Sequence, residues 1–468
     1  MRYLILIAFC FFSTSVFCQI IPLPDSLRQL ALNEKVIIQR IELSGNKKTK
    51  DKIILRELSV TEGQLVRSDS LAALAEQNRL RLMTVSLFTE IRVHFDTVNS
   101  SEVLMNICVQ ERWYIIPEVD FRLADRNFNV WWTEQKRDIR RSVIGLKLTH
   151  KNFRGNLENI SVATQVGYRQ EFSFAYSKPY VDKKQRHGFG VLLGVSQANE
   201  VYYATDSNKL LFAKKSDDYI MRYLQGSLSY SFRPNYASSH IFRVTYKEQQ
   251  IDDTVLQLNP EYFLNESNKL NLIEFSYRYN LNKVDNWNYP LRGHKLIAHV
   301  FFLEGIKGMD QLLFGTLQTG SYYHLTGKWY LSMITRSRLL FFTSQPYVMR
   351  SALGTQYEYV RGYEYYVVDG SHYALGRFNF KRELLNINIR NIPFKYLPVI
   401  PLRIYPKVFA DAGYVHDPYK GNGFLNNRVL YSAGLGVDIF TAYDFKIRAE
   451  YAWNHLGQKG LFLHFVSE

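Results

Sequence analysis

From Ile115 to the end of the chain, apolar and polar residues alternate with a period of two, and the polar positions carry much of the charge. In FKIRAEYAW, Phe445, Ile447, Ala449, Tyr451 and Trp453 fall on one side of an extended chain, with Lys446, Arg448 and Glu450 on the other. IEFSYRY sets Ile273, Phe275, Tyr277 and Tyr279 against Glu274, Ser276 and Arg278, and EFSFAYS sets Phe172, Phe174 and Tyr176 against Glu171, Ser173 and Ser177. Successive side chains of a strand point to opposite faces, so each segment reads as a strand with one apolar and one polar side. A soluble sandwich accepts such strands if their apolar faces meet in a core. A membrane barrel accepts them with the apolar faces in lipid and the polar faces lining a wet interior. Aromatics make up 15% of the sequence, and the Tyr and Trp near strand ends find a natural place at the two bilayer interfaces, which favours the barrel. Backbone groups in lipid must all be paired, which forces closure. The alternating segments number about sixteen, an even count as single-chain bacterial barrels require.

The N-terminal stretch MRYLILIAFCFFSTSVFCQ has an early Arg, an apolar run from Leu4 to Phe12 and a Val16-x-Cys18 pair, the pattern of a secretory leader over residues 1–18. Lipid attachment at Cys18 is disfavoured by the bulky Phe17. A short lead, residues 19–33, follows. Beyond the leader there is no run of about 18 apolar residues, so no transmembrane helix is written in the sequence. The net charge of +15 raises nucleic acid as a partner, but export and the spread of charge through strands argue against it.

Residues 34–112 read differently. VIIQRIELSG is a strand closed by Gly45-Asn46; Thr49 is placed to cap a helix through Ile53, Ile54 and Leu58; Gly63 ends it. A second helix over about 68 to 85 brings Leu71, Leu74, Leu80 and Leu82 near one face. Two strands follow, the second being VLMNICVQE, where Val103, Met105, Ile107 and Val109 alternate with Leu104, Asn106, Cys108 and Gln110. The order β-α-α-β-β, the opening I-x-L-x-G-N, Gly63, Phe88 ahead of IRVHF and the closing V-x-M-x-I-x-V-x-E resemble a polypeptide-transport-associated (POTRA) domain. A three-stranded sheet of this kind has an open edge that offers unpaired N–H and C=O groups to an extended peptide. The resemblance implies that the domain receives unfolded substrates or partner subunits. The fold class is thus a small α+β POTRA-like domain followed, over residues 113–468, by an all-β transmembrane barrel of about sixteen antiparallel strands.

One long connection, from about Thr343 to His372 between the eleventh and twelfth strands, contains YEYVRGYEYY. Taken by itself, VRGY is a hairpin tip with a solvated Arg. With one POTRA-like domain and about sixteen strands, Val360, Arg361, Gly362 and Tyr363 resemble the loop motif of the BamA/TamA superfamily of outer-membrane assembly and secretion factors, a loop that folds back into the lumen. Gly370 and YPLRG (Tyr289 to Gly293) add to the likeness. A guanidinium in a partly desolvated lumen needs carboxylate acceptors in fork geometry. Strand parity sends Arg377, Asn379, Lys381 and Glu383 inward on GRFNFKREL, and Lys407, Asp411 and Gly413 inward on KVFADAG. The resemblance implies an acid on strand twelve and the Asp of a D-x-G on strand thirteen as partners of the loop Arg, here Glu383 and Asp411. The closing segment QKGLFLHF, with Gly460, Leu463 and Phe465, resembles the C-terminal recognition signal of outer-membrane barrels, except that Val466, Ser467 and Glu468 follow the aromatic.

No catalytic constellation emerges: Gly188-x-Gly190 sits in a strand, the His residues lack ligand spacing, and there is no G-x-S-x-G elbow. A non-enzyme without cofactor or metal is expected. The resemblance implies an outer-membrane location with the N-terminal domain in the periplasm. Its first functional implication is an assembly and insertion factor working at the seam between the first strand, with Pro117, and the last, with Gly460, Leu463 and Phe465. Proline cannot donate to a ladder and suits a weak closure. The alternatives are a polypeptide-secreting pore of the same superfamily and a passive or structural barrel. Expected partners are outer-membrane lipid, unfolded outer-membrane or secreted polypeptides, and periplasmic or lipoprotein accessory subunits. A single POTRA-like domain is fewer than general assembly factors carry, which suits a narrow client set.

Overall fold

The computed structural model describes residues 35–464 apart from 86, 124–127, 216–217, 287–288, 342–343, 356–357, 391–398, 420 and 442–445. The expected leader (1–18), the whole lead (19–33), Phe445 and Phe465 lie outside the described residues. The chain divides into two compact units, the first running to Tyr114 and including Arg154–Asn156, the second taking the rest from Ile115.

The first unit has the order β1 (Lys35–Ser44), α1 (Asp51–Leu55), β2 (Leu65–Arg67), α2 (Leu71–Thr84), β3 (Phe88–Thr97) and β4 (Glu102–Glu111). The sheet has four strands, in the order β2-β1-β4-β3. The expected three-stranded sheet is therefore extended by β2, a three-residue strand that pairs antiparallel with Lys35 to Ile37 and covers that side. Strand β4 pairs parallel with β1 and antiparallel with β3. Its alternate residues Val103, Met105, Ile107 and Val109 are buried, as are Ile53, Ile54, Leu71 and Leu82 of the helices. Two local expectations need correction. Thr49 does not cap α1: the N-cap is Lys50, while the Thr49 hydroxyl pairs with Tyr114 and its N–H donates to the Glu111 carboxylate. On α2 the buried face is Leu71, Asn78 and Leu82, and Leu80 is exposed. Spacings of seven and four keep one face of a 3.6-residue helix, whereas Leu80 and Leu82, two apart, cannot share it.

In the second unit the strands are β5 (Ile115–Leu123), β6 (Ser142–His150), β7 (Asn159–Gly167), β8 (Arg169–Lys178), β9 (His187–Ala198), β10 (Glu200–Asp206), β11 (Lys209–Lys214), β12 (Met221–Phe232), β13 (Ser238–Ile251), β14 (Lys269–Val284), β15 (Gly293–Lys307), β16 (Leu312–His324) and β17 (Trp329–Leu340). They continue with β18 (Ser351–Leu353), β19 (Val368–Asp369), β20 (His372–Arg382), β21 (Leu385–Arg390), β22 (Val399–His416), β23 (Val429–Phe440), β24 (Lys446–Asn454) and β25 (Lys459–His464). Seventeen of these close into a barrel, in which β25 neighbours β5. Strands β20 and β21 lie end to end along β22, as two stretches of one stave, so the wall has sixteen positions. Pairs β10–β11 and β18–β19 form separate two-stranded sheets in the connections.

The wall buries charge and exposes hydrocarbon. On β24, Lys446, Arg448 and Glu450 are buried while Tyr451 and Trp453 are exposed. On β20, Arg377, Asn379 and Lys381 are buried while Phe378 and Phe380 are exposed. This inversion is what a lipid-facing outer surface and a polar interior demand. Among the described residues no helix is long and apolar enough to cross a membrane.

At the end where β9 leaves the barrel and β12 enters it, the wall is capped. The β10–β11 hairpin turns at Ser207 and Asn208, both with positive φ. With α3 (Asp253–Leu258) and the long connection it builds a second core of Val201, Ile220, Val255, Tyr262, Phe263 and Tyr347. The Asn208 amide donates to the Val367 carbonyl and to Asn426, and its oxygen accepts from the Leu425 N–H, each at 2.9 Å.

Candidate functional site

The connection from β17 to β20 enters the barrel and places Arg361 among strands β20, β22 and β24. It is fully buried, at 0% exposure. A buried guanidinium is tolerated only with its donors used, and here they are. Nε donates to Asp411 Oδ2 at 2.8 Å and one terminal nitrogen donates to Asp411 Oδ1, which closes a fork. The other terminal nitrogen donates to Asn379 Oδ1 at 2.7 Å and Glu450 Oε1 at 2.9 Å. The guanidinium carbon lies 3.8 Å over the Phe409 ring, and the Arg361 backbone N–H adds a bond to Asp411 at 3.1 Å.

The rest of the motif holds the tip. Gly362 has φ +87°, a left-handed conformation that favours glycine, and a Cβ there would approach Ala452 Cβ at 3.3 Å. Its carbonyl accepts from Asn454 at 2.7 Å. Tyr363 is buried, and its hydroxyl donates to the Tyr431 carbonyl at 3.2 Å and meets His455. Val360 packs with Leu353, Val368, Leu375, Val415 and Leu430. A Cβ at Gly413 would lie 2.6 Å from a Val360 methyl. The D-x-G of β22 therefore has two uses: Asp411 takes the charge, and Gly413 leaves room for the valine.

Of the two expected partners the structure brings Asp411 to Arg361 and keeps Glu383 away. Glu383 follows the end of β20, half-buried, and accepts from Asn386 at 3.2 Å and Tyr405 at 3.3 Å. It shares the inward parity of Asn379 but stands four residues further along, about 13 Å at strand rise, beyond the reach of Arg361. Glu450 on β24 takes that place. The sequence pattern had already turned Glu450 inward, but nothing local links it to residue 361.

Glu450 joins Arg361 to a larger cluster. Lys407 Nζ lies 2.8 Å from both Glu450 Oε1 and Asp438 Oδ1, and Arg448 Nε donates to Asp438 Oδ1 at 2.8 Å. The Tyr289 hydroxyl, from YPLRG between β14 and β15, donates to Asp438 Oδ2 at 3.0 Å. The Lys381 ammonium sits 4.4 Å from the Tyr289 ring centroid. On the last strand, His464 Nε2 is 3.6 Å from both Glu450 and Glu364, and its ring stacks on Tyr359. The predicted motif, the YPLRG turn and the final strand thus meet in one ion-paired network inside the barrel.

At the seam, Pro117 of β5 is paired with Leu148 of β6. Gly460 and Leu463 of β25 stand opposite Ala452 and Ala449 of β24. Strands β5 and β25 are neighbours in the closed barrel and form its seam.

Residues 152–380 match the Omp85 superfamily domain, and residues 36–112 match the surface antigen variable number repeat, a POTRA model. An 88-residue stretch is 26% identical to the outer membrane protein assembly factor BamA of Neorickettsia risticii (strain Illinois), covering 19% of this chain and 11% of that protein. The crystal structure of BamA from Haemophilus ducreyi lacking POTRA domains 1–3 aligns with a TM-score of 0.50 at 14% identity, over 92% of this chain and 83% of that one. CdiB from Escherichia coli aligns with a TM-score of 0.53 at 11% identity, over 94% of this chain and 81% of that one. At such identities these two likenesses speak for the fold.

Proposed function

The chain belongs to the Omp85 superfamily, and from that premise we propose that it inserts outer-membrane proteins by receiving their strands at the β5/β25 seam, as a BamA-like assembly factor. Its barrel lies in the outer membrane and its POTRA domain in the periplasm, and its role is insertion or secretion of polypeptides. The finer choice of insertion rests on one observation, the filled lumen. A polypeptide passing through it must strip Arg361 from Asp411, Glu450 and Asn379, and leaving such charges buried and unpaired costs several kcal/mol. A client strand pairing at the seam breaks none of these contacts. In this reading residues 1–18 are a leader, 19–33 a lead, 34–112 the POTRA domain and 113–468 the barrel; Val360 to Tyr363 with Asp411 lock the loop. Unfolded outer-membrane polypeptides are the clients, periplasmic or lipoprotein subunits are candidate accessories, and no catalysis is involved.

The test uses cysteines at Pro117 and Leu463 in a chain lacking Cys108, joined by a thiol crosslinker. The abundance of other outer-membrane barrels and the export of secreted proteins are then followed with and without the link. Loss of barrel insertion alone is expected. Intact insertion under a verified link overturns the seam mechanism; lost export with insertion intact moves the role to a secretion pore.

A further inference from the structure

The outer surface of β9, β12, β13 and β14 carries a two-row lattice of rings. One row is His187, Phe232, His240 and Tyr279; the other is Phe189, Tyr230, Phe242 and Tyr277. The registers place His187 opposite Phe232, Phe232 opposite His240, and His240 opposite Tyr279. Neighbouring rings are in contact: His187 and Phe232 stack with centroids 5.1 Å apart, and Phe242 and Tyr277 lie tilted at 4.9 Å. Two imidazole and phenol pairs are bonded within it: His187 Nδ1 lies 2.6 Å from the Tyr230 hydroxyl and His240 Nδ1 lies 2.9 Å from the Tyr277 hydroxyl. Rings with polar handles on a lipid-facing wall belong at the depth of the headgroups. Directly beyond His187, the turn from β8 to β9 carries Lys183, Lys184 and Arg186, all exposed. Asp182 offsets only one of these charges: its carboxylate, held ionised by the backbone N–H groups of Arg186 and His187 at 2.8 and 2.9 Å, leaves the turn with a net positive charge. The nearby Glu158 is engaged with Lys178 at 3.5 Å. Chain order puts this turn at the periplasmic end, since β5 enters from that side and each later strand reverses.

We propose that the β8–β9 turn and the ring lattice beside it form a binding site for an anionic phospholipid of the periplasmic leaflet. Lys183, Lys184 and Arg186 hold the phosphate and its net charge, and the lattice packs the glycerol and upper acyl chain. A free anion would use the three cations without the rings. An acidic protein would not need the cations to abut a lipid-facing lattice. The lipid is the occupant that uses both.

The full chain, purified in detergent, is titrated with phosphatidylglycerol and separately with phosphatidylcholine of the same acyl chains, and bound lipid is counted by native mass spectrometry. Wild type is expected to prefer phosphatidylglycerol. The triple variant Lys183→Gln, Lys184→Gln, Arg186→Gln should lose that preference by about tenfold or more, since each basic residue near an anionic lipid contributes appreciably. Arg186→Gln alone, which leaves the rest of the turn intact, should lose part of it. Folding of each variant is checked by its heat-dependent gel shift. Equal binding of the two lipids by wild type, or a folded triple variant with undiminished preference, overturns the site. Full displacement of phosphatidylglycerol by inorganic phosphate overturns the lipid in favour of a free anion.

Discussion

Arg361 illustrates how a buried charge specifies structure. The guanidinium has lost its water and gained two carboxylates, an amide and an aromatic face, all set by residues on three strands. Such an arrangement adds little net stability but makes any partial version costly. Arg361→Ala leaves Asp411 buried without its fork partner and takes from Glu450 one of its two close cations, and it is expected to lower barrel stability by about 3–5 kcal/mol, read from urea unfolding in detergent. Arg361→Lys should recover only part, because an ammonium cannot present the fork. Glu383→Gln should stay within about 0.5 kcal/mol, since its residue is half-buried and outside the network. A large loss at Glu383 with none at Arg361 would reverse the assignment of the lock. The arginine, its glycine and Asp411 were legible in the sequence because a motif and strand parity mark them. Glu450, Asn379 and Tyr289 were not: each looks like any other inward polar residue or turn aromatic until the strands are placed side by side.

Among the elements, strands were more legible than the pieces that decorate them. Period-two alternation marks a wall strand without reference to its neighbours, whereas the β10–β11 hairpin continues the alternation of β9 and differs only in being unpaired to the wall. Its turn has the two positive-φ residues of a type I′ hairpin, Ser207 and Asn208, without the glycine that usually announces one. The same limit applies to α2, where four leucines suggested a face and the buried Asn78 defined it. Asn208 fastens the hairpin to the long connection and to the residues after β22. Asn208→Ala removes the side-chain bonds of both anchors while leaving the hairpin's own ladder and the bond from the Val367 N–H to the residue 208 carbonyl. Amide exchange in residues 200–214 should therefore speed up relative to the wall strands, by mass spectrometry on the intact protein. Unchanged exchange there would mean that the apolar core under the hairpin holds it without the asparagine.

At the scale of the whole molecule the sides of the wall have opposite requirements. An outward Leu193, at mid-strand on β9, faces hydrocarbon, and Leu193→Arg is expected to cost about 2–4 kcal/mol in a bilayer. The same substitution in a soluble sandwich with that face on the outside would cost little, so refolding equilibria in lipid vesicles test the orientation directly. By itself the sequence determined that the chain closes a barrel around a charged interior, because alternation is a property of consecutive residues and lipid allows only closed sheets. The likeness of its loop motif to a known family, and not the residues alone, pointed Arg361 toward acids inside. Only the tertiary structure decided which ones. Several inward acids lie on different strands, and the registers that set Arg377 opposite Asp411, Lys407 opposite Gly436 and Gly436 opposite Glu450 bring two of them to Arg361 and leave Glu383 a turn of the stave away. Register is a relation between strands far apart in the chain, and no single strand carries it.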